Sequence, residues 1–456
     1  PRELLAMGKR LDEIRKQIAG EIEGKIHRAD LKRFEHHDGT PDRWYWAAPL
    51  LLDRERLEVR TILEAWFENL GTNGVSGEAG RKEHYHTFQQ AFLEPGAIGL
   101  GPMPVELPYI LADMVLGSPA VVGLRSLITQ FGSRPPTVSD LNDSFSLAGE
   151  FLNLYNKPES ITAVRLATDP DMSYWQQTLR YGCDGCIQAV FDEYLHLLQG
   201  QGGGRKDVVE RFRNTINIST ASVNVDGFES FMAEKTLKMR CHYAVEFGNQ
   251  RIETEEGEQR ASNIRANFNS PFRPFVLATT SIGQEGLDFH QYCRRIMHWN
   301  LPGNPIDLEQ REGRINRYKG LVIRQQLAAR YGHRLKELRS EGDPWDELFE
   351  LADMNERVNT GKCELVPYWN VEIDEIRIER MVPMYPYSKD EQRLERILKT
   401  LAIYRLAFGQ PRQAELVEHL LGKNFSANEI TEICTKLMIN LSPVSYQDLQ
   451  PNQKED

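Results

Sequence analysis

The chain has 456 residues, a formal net charge of −11 and an apolar fraction of 40%. This length exceeds one ordinary hydrophobic core, so we expect two or three domains. The acidic balance excludes a protein that coats nucleic acid along its whole length. The longest apolar runs, such as "PAVVGL", fall short of a membrane span, so we expect no membrane partner.

Helical patterns dominate the first 180 residues. Apolar residues recur at steps of three or four along several segments, which are 3–35, 50–70, 85–93, 109–131 and 143–155. The composition of 71–83 predicts a loop between two of these helices. We assign 1–180 to a mostly helical arm or insertion that carries no recognisable chemistry.

Some aromatic, histidine and cysteine clusters allow both a structural and a functional interpretation. "RWYW" at 43–46 could stack on bases, although buried packing is more typical. The histidines at 35–39 and 84–86 could bind a metal or lie in solvent. Cys183 and Cys186 form a CxxC pair without a second pair at zinc-site spacing, which favours ordinary thiols in a cytoplasmic protein.

From about residue 185 strand-like segments alternate with helical ones. Strands are predicted at 216–225, 240–247, 274–280 and 295–301, and helices at 186–200, 258–268 and 307–332. This alternation predicts an α/β domain with a doubly wound parallel sheet, whose ligands lie at the carboxyl ends of the strands. The glycine-rich stretch 200–206 follows a helix, whereas a phosphate loop follows a strand, so we interpret it as a connection.

The last 110 residues return to helical periodicity. Two capping boxes are predicted there, one formed by Ser388 with Glu391 and one by Ser426 with Glu429. Leu394, Ile397, Leu398, Leu401 and Phe408 form an apolar stripe behind the first box. We assign 346–456 to a helical C-terminal domain with a frayed tail.

Two sequence motifs follow the predicted strands. The first is "ATTSIGQEGLDFH" at 278–290, and the second is "QREGRINR" at 310–317. Arginines at a spacing of three should share one face of a helix and repel each other, which predicts a polyanion opposite them. Residues 311–339 contain nine basic residues against two acidic ones, so this run forms either a solvated helix face or an anion-facing surface.

The first motif resembles motif V of superfamily 2 helicases and translocases, and the second resembles their motif VI, QRxGRxxR. Their order and the strand predicted between them match the second RecA-like lobe of that superfamily. The resemblance covers roughly 185–340, and we assign 181–345 to a RecA-like helicase C-terminal domain. A longer stretch around the second motif also resembles large bacterial helicase-domain proteins related to Swi/Snf-type translocases, some of which work in DISARM-type phage defence.

The resemblance implies roles for individual residues. Arg314 and Arg317 would be arginine fingers at the γ-phosphate, because a planar guanidinium binds oxygens bidentately and stays protonated. The nucleotide side would further include Gln310, Gly313, Gly286 and Asp288. The nucleic-acid backbone would meet Thr279, Thr280 and Ser281.

The sequence lacks one half of the expected chemistry. It contains no "GK[ST]" phosphate loop, and "FDEYLH" at 191–196 places its histidine one position too far for a DExH motif. We therefore expect ATP and Mg²⁺ to be held mainly by a Walker A-bearing first lobe, upstream or on another subunit. Nucleic acid, DNA in preference to RNA, and further subunits are the expected partners. A non-enzymatic nucleic-acid-binding or assembly module is the alternative.

Overall fold

A computed structural model describes most of the chain outside several segments. The described residues are 8–73, 79–97, 99–132, 135–216, 221–225, 232, 237–241, 265–272, 274–279, 288–336, 343–360, 369, 371, 373–406, 413–423, 425–426, 428–429 and 432–433. The chain divides into two compact units. Unit 1 contains 1–244 and 271–273, and unit 2 contains 245–270 and 274–456.

Unit 1 is mainly helical in its described part. Its helices are α1 (Leu11–Arg28), α2 (Trp44–Arg54), α3 (Leu57–Asn73), α4 (Ala79–Leu93), α5 (Leu107–Gly117), α6 (Pro119–Phe131), α7 (Val138–Tyr155), α8 (Pro158–Ala167), α9 (Tyr174–Asp184), α10 (Ile187–Gly200) and α11 (Arg205–Ile216). Its strands are β1 (Glu35–Thr40), β2 (Ala221–Val225) and β3 (Leu237–Cys241). The described part of the first 180 residues is mainly helical, and its assignment as an arm or insertion stays a prediction.

Helix α1 shows how the apolar periodicity builds the core of unit 1. Ile14, Ile18, Ile22 and Ile26 lie one helical turn apart and are all buried. On α5, which packs against α1, Asp113 is bound bidentately by Arg15 at 2.6 and 2.7 Å. The α1 stripe therefore fixes the first helix, and the ion pair orients it.

Two close packing arrangements complete unit 1. The ring of Phe151 stacks on that of Phe191, which is tilted against Phe212, and the centroids are 5.0 Å apart in both pairs. Where α5 crosses α9, a Cβ at Gly117 would lie 2.4 Å from Leu179 O. Only glycine permits this approach of the two backbones.

Two sequence expectations for unit 1 are wrong. The segment 71–83 is helical at 71–73 and at 79–83, because α3 and α4 extend into it. Strands β2 and β3 form an antiparallel pair, with Val223 opposite Met239, rather than part of a parallel sheet. Alternating apolar and polar residues predict a strand but not its direction.

Unit 2 contains β4 (Arg295–Met297), α12 (Pro305–Gly313), α13 (Leu321–Tyr331), α14 (Pro344–Thr360), β5 (Glu379–Met381), α15 (Asp390–Leu406) and α16 (Gln413–Leu421) among its described residues. Strands β4 and β5 are parallel, with Ile296 opposite Arg380. Among the described residues, the parallel sheet consists of these two strands. The doubly wound sheet predicted from the sequence is not seen in that part of the chain.

Apolar side chains join the helices of unit 2 in two clusters. Leu301 and Leu308 pack with Ile397, which attaches α12 to α15. Leu327 and Leu348 belong to a second cluster that joins α13 to α14. The predicted stripe of α15 is confirmed for its described members, since Ile397 and Leu401 are buried and Leu394 and Leu398 are partly buried.

Three predicted elements of unit 2 differ from the structure. No strand forms at 274–279, where Phe275 and Val276 are exposed by 74% and 84%. The helix predicted over 307–332 is interrupted between Gly313 and Leu321. The segment predicted to be helical from 346 onwards also supplies β5. An apolar run can thus match a strand pattern and still remain outside a sheet.

No single helix in the described part of the chain has the length and apolar character needed to cross a membrane. Helices α5 and α6 meet that criterion only as a pair, bent by 47°.

Candidate functional site

The predicted site residues are distributed between a helix end and a turn. Gln310 and Gly313 lie in the last turn of α12, whereas Arg314 and Arg317 lie in the segment 314–320, which we call the arginine turn. The expectation that the arginines share one helix face is therefore wrong, because the helix ends at Gly313. Thr279 is exposed and outside any helix or strand, and Thr280, Ser281 and Gly286 lie outside the described residues.

The second motif and the start of α13 are connected to the end of the first motif by one ion pair and two backbone hydrogen bonds. Arg317 Nε lies 3.2 Å from Asp288 Oδ1. Phe289 N donates to Arg314 O at 3.0 Å, and Leu321 N donates to His290 O at 2.8 Å. Residues 288–290 therefore run alongside the arginine turn, and the predicted site residues Asp288 and Arg317 are in contact.

The arginine turn has a defined backbone conformation. Ile315 N and Asn316 N both donate to Glu312 O at 3.1 Å, and Gly320 N donates to Arg317 O at 2.9 Å. A Cβ at Gly320 would lie 2.8 Å from Arg317 O, so a glycine is needed where the turn closes. Ile315 is buried and anchors the middle of the turn.

Close packing within the described chain does not account for the glycine at position 313. A Cβ at this position would meet no atom of the described chain within 4 Å. Its backbone therefore approaches nothing within unit 2 closely enough to require glycine. A ligand role for Gly313 stays a prediction.

Arg324 links Lys319 of the arginine turn to Gln291 through hydrogen bonds, and sequence reasoning missed it. Its side chain is 1% exposed, donates to Lys319 O at 2.6 Å and to Gln291 O at 2.8 Å, and lies over the rings of Tyr292 and Trp345. A signal exists in the sequence, because this arginine follows the apolar stretch "LVI" at 321–323 and shares a helix with the core residue Leu327.

Three residues of the basic run, from Lys319 onwards, are paired with acidic or polar residues of unit 2. Lys319 Nζ contacts Asp346, and Arg330 Nε lies 3.4 Å from Glu356. Arg334 donates to Asn355 at 3.1 Å. These partners all lie on α14, so the run packs against a helix of its own chain, an arrangement that neither sequence interpretation anticipated.

Glu312 is a second functional candidate that the sequence analysis overlooked. Both its carboxylate oxygens accept from Arg380, and His298 Nε2 lies 3.2 Å from Oε1. Burial alone would raise the pKa of Glu312, but the hydrogen bonds and charges of Arg380 and His298 outweigh it and lower the pKa to about 2. Glu312 is therefore a carboxylate throughout the physiological pH range.

His290 also lies beside the turn. Burial lowers its pKa, Arg324 and Arg317 act in the same direction, and Asp288 opposes them. The imidazole at this position is therefore biased towards its neutral form.

Several alternatives from the sequence can be placed in unit 1. Phe191 and Tyr194 of "FDEYLH" are buried on α10, so this stretch is a packed helix. The glycine-rich stretch 200–206 connects α10 to α11. Cys183 is buried, and burial raises the pKa of its thiol to about 12, whereas Cys186 is exposed. Trp44 is fully buried, which confirms the packing interpretation of "RWYW".

Potential metal-ligating side chains in the described part of the chain do not gather into a metal site. No group of three or more histidine, cysteine, aspartate or glutamate side chains there could hold a metal ion. His84 belongs to α4, and its side chain lies outside the described part.

Comparison with protein families gives one match. Residues 204–319 match the helicase conserved C-terminal domain. The match includes both motifs that form the site described above, and it supports a superfamily 2 helicase C-terminal lobe with a RecA-like fold in this region. A search of curated proteins and a search of solved structures found no significant match.

Proposed function

We propose that this chain supplies the second RecA-like lobe of an ATP-dependent superfamily 2 nucleic-acid helicase or translocase. The core of this lobe would be the doubly wound sheet predicted from the sequence. The arginine turn would lie at the edge of the lobe that faces the nucleotide. The match over 204–319 supports the class of domain. The contact between Asp288 and Arg317 supports the site, since it joins the two motifs.

In this proposal the arginine turn binds the γ-phosphate of ATP. Phosphoryl transfer needs fixed positive charge where negative charge develops, and a guanidinium supplies it in a planar fork. Arg317 keeps 47% of its side chain exposed while one nitrogen contacts Asp288. Asp288 would hold the fork in orientation, and Gln310 and Gly313 would line the same edge.

ATP and Mg²⁺ would be held mainly by a first lobe that carries a Walker A loop, located upstream or on another subunit. The "GK[ST]" loop that binds nucleoside triphosphates in this superfamily does not occur in this sequence. When bound, Mg²⁺ would neutralise the phosphate oxygens. This chain's residues would contribute cationic side chains and, through Thr279, Thr280 and Ser281, contacts to the nucleic-acid backbone.

The alternative of a non-enzymatic nucleic-acid-binding module has less support. Such a module would depend on unpaired basic residues for phosphate contacts. Lys319 and Arg330 are instead paired with acidic residues of α14. The basic run therefore stabilises unit 2, and the arginine turn is the better candidate for binding an anion.

Narrower assignments follow from the resemblance alone. We propose DNA in preference to RNA as the nucleic acid, a relation to Swi/Snf-type translocases, a role in phage defence, further subunits as partners and a cytoplasmic location.

Affinity purification of the full chain from its own cells would test the proposed function. We expect a polypeptide with a "GK[ST]" loop to co-purify, or a longer form of the chain to carry one. The purified assembly should hydrolyse ATP faster when DNA is added, and the 456-residue chain alone should not. Robust DNA-stimulated turnover by that chain alone would contradict the two-lobe account.

A further inference from the structure

Glu312 connects the arginine turn to the parallel sheet through its side chain. Arg380 Nη2 lies 2.8 Å from Glu312 Oε2, and Arg380 Nε donates to the other carboxylate oxygen. Arg380 belongs to β5. His298, which follows β4 and is 1% exposed, contacts the same carboxylate and donates its backbone N–H to Met381 O at 2.9 Å. One carboxylate is thus bound by a residue from each strand segment.

The backbone carbonyl of Glu312 forms hydrogen bonds at the start of the arginine turn. Its carbonyl oxygen accepts from Ile315 N and Asn316 N, both at 3.1 Å, which turns the chain out of α12 and into the arginine turn. Ile315 and Asn316 lie between Arg314 and Arg317, so the Glu312 carbonyl anchors the segment that carries both arginines. Glu312 therefore contacts the sheet through its side chain and the arginine turn through its backbone carbonyl.

The contact between Glu312 and Arg380 is strong for its degree of exposure. Two parallel hydrogen bonds between a guanidinium and a carboxylate fix direction as well as distance. The Glu312 side chain is 21% exposed and that of Arg380 is 34% exposed, so solvent screens the pair only in part. Neighbouring Arg311 does not replace Arg380, since its Nη1 donates to Asn300 O at 2.9 Å.

We propose that Glu312 and Arg380 are positioning residues for the arginine turn. They bind no substrate themselves. Their ion pair holds the turn against β5, so that Arg314 and Arg317 meet a nucleoside triphosphate in a preset geometry. What the arginines bind rests on the proposed function, whereas the placement of the turn by Glu312 can be tested without it.

A matched control is present in the same sheet. Arg295 of β4 contacts Glu379 of β5 at 2.7 Å and does not touch Glu312. Changing Arg295→Gln removes an ion pair between the same two strands and leaves the connection to the arginine turn intact. Comparison with Arg380→Gln therefore separates positioning of the turn from general stability of the sheet.

The test is hydrogen exchange with mass spectrometry on the full chain, with Arg380→Gln, Arg380→Lys and Arg295→Gln. Loss of a charged bidentate contact should speed exchange in peptides spanning 314–320 by roughly ten-fold in Arg380→Gln. Arg380→Lys should restore part of the protection, since it retains one charged donor. Arg295→Gln should leave these peptides unchanged. Unchanged exchange in Arg380→Gln, or faster exchange throughout unit 2, would overturn the proposal.

A second measurement uses the assembled two-lobe enzyme. Arg380→Gln should lower kcat by about ten-fold with little change in KM for ATP, because it displaces the arginines without removing them. Arg380→Lys should recover part of kcat. A fall in kcat without faster exchange at 314–320 would reject positioning by Glu312. If no assembly hydrolyses ATP, the proposed function fails, and hydrogen exchange alone still decides the placement of the turn.

Discussion

Asp288 and Arg317 lie 3.2 Å apart, at the end of one motif and in the turn of another. Both side chains are partly exposed, at 36% and 47%, so the ion pair contributes at most about 1 kcal/mol to stability. The ion pair matters for geometry, because it fixes one edge of the Arg317 guanidinium. The rest of that side chain stays exposed and could contact a ligand. This contact joins the end of the first motif to the second motif.

The first prediction concerns Asp288→Asn in the assembled enzyme. Folding stability should change by less than about 1 kcal/mol, since the pair is solvent-screened. ATP turnover should fall by roughly ten-fold, because the guanidinium loses its orientation. Steady-state hydrolysis and urea denaturation measure the two effects. Wild-type turnover in Asp288→Asn would show that the contact does not orient a catalytic group.

The second prediction concerns pH and Glu312. Its pKa is about 2 in the folded chain, below its ordinary value of 4.5, so its stabilising effect is present above pH 4.5 and is lost as the pH falls towards 2. Glu312→Gln should cost on the order of 3 kcal/mol at pH 7 and progressively less below pH 4.5. Urea denaturation at several pH values provides the measurement.

Glu395→Gln, on the exposed face of α15, is the matched control for this titration. It should have a small effect at every pH, since surface substitutions seldom exceed about 0.5 kcal/mol. A constant effect of Glu312→Gln between pH 7 and pH 3 would show that its carboxylate is not stabilised by Arg380 and His298.

The third prediction concerns the close helix crossing in unit 1. Gly117→Ala would place a Cβ 2.4 Å from Leu179 O and should destabilise the chain by about 1–3 kcal/mol. Gly149→Ala, inside α7 with no atom within 4 Å of the added Cβ, should stabilise it by about 0.5–1 kcal/mol. Chemical denaturation compares the two variants. Equal stabilities would mean that α5 and α9 are not so close.

The fourth prediction concerns nucleic-acid binding. If Thr279, Thr280 and Ser281 contact the backbone, binding should be nearly independent of sequence and should weaken by roughly ten-fold or more between about 50 and 200 mM salt. Thr280→Val should weaken binding or uncouple it from hydrolysis. Thr162→Val, at an exposed position of α8, should not. Fluorescence anisotropy with labelled DNA measures both effects, and affinity that is indifferent to salt would exclude a backbone-tracking site.

Sequence patterns predicted the helices of unit 1 well because apolar periodicity reports burial directly. Ile14 and Ile18 illustrate this, since each lies one turn from the next buried residue. The capping box of Ser426 and Glu429 is confirmed, with Ser426 N donating to Glu429 and Glu429 N to Ser426 Oγ. At the first predicted box, Ser388 Oγ accepts from Asp390 N at 3.4 Å.

Apolar periodicity and capping patterns could not predict contacts between residues that lie far apart in the chain. Arg324 belongs by composition to a basic run, and its burial depends on Gln291 and Trp345, which no local periodicity places nearby. Similarly, the pairing of Glu312 with Arg380 joins residues far apart in the chain. The motifs predicted a shared site, which stays a prediction, and the structure adds one contact between its members, that of Asp288 with Arg317.

The break after Gly313 has a local cause that a helical pattern conceals. Glu312 O accepts two amides at the end of α12, and Lys319 has a positive φ of 56° shortly before Gly320. Helical periodicity continues on both sides of this turn, so apolar spacing alone predicts one helix. The arginines consequently lie in a turn, where their separation is not set by helical geometry.

The most direct test of the central claim is the effect of Arg314→Ala and Arg317→Ala on the assembled enzyme, measured by steady-state hydrolysis together with an equilibrium DNA titration. Arg330→Ala, which removes a contact with Glu356, is the control and should retain turnover. Loss of an arginine finger lowers turnover by about 10³–10⁵-fold in well-studied cases. Lysine should substitute poorly, because it lacks the bidentate fork.

We predict that Arg314→Ala and Arg317→Ala nearly abolish DNA-stimulated hydrolysis and leave DNA affinity without nucleotide almost unchanged. Retained hydrolysis with lost DNA binding would contradict the account, and would mean that these arginines bind nucleic acid instead of the γ-phosphate.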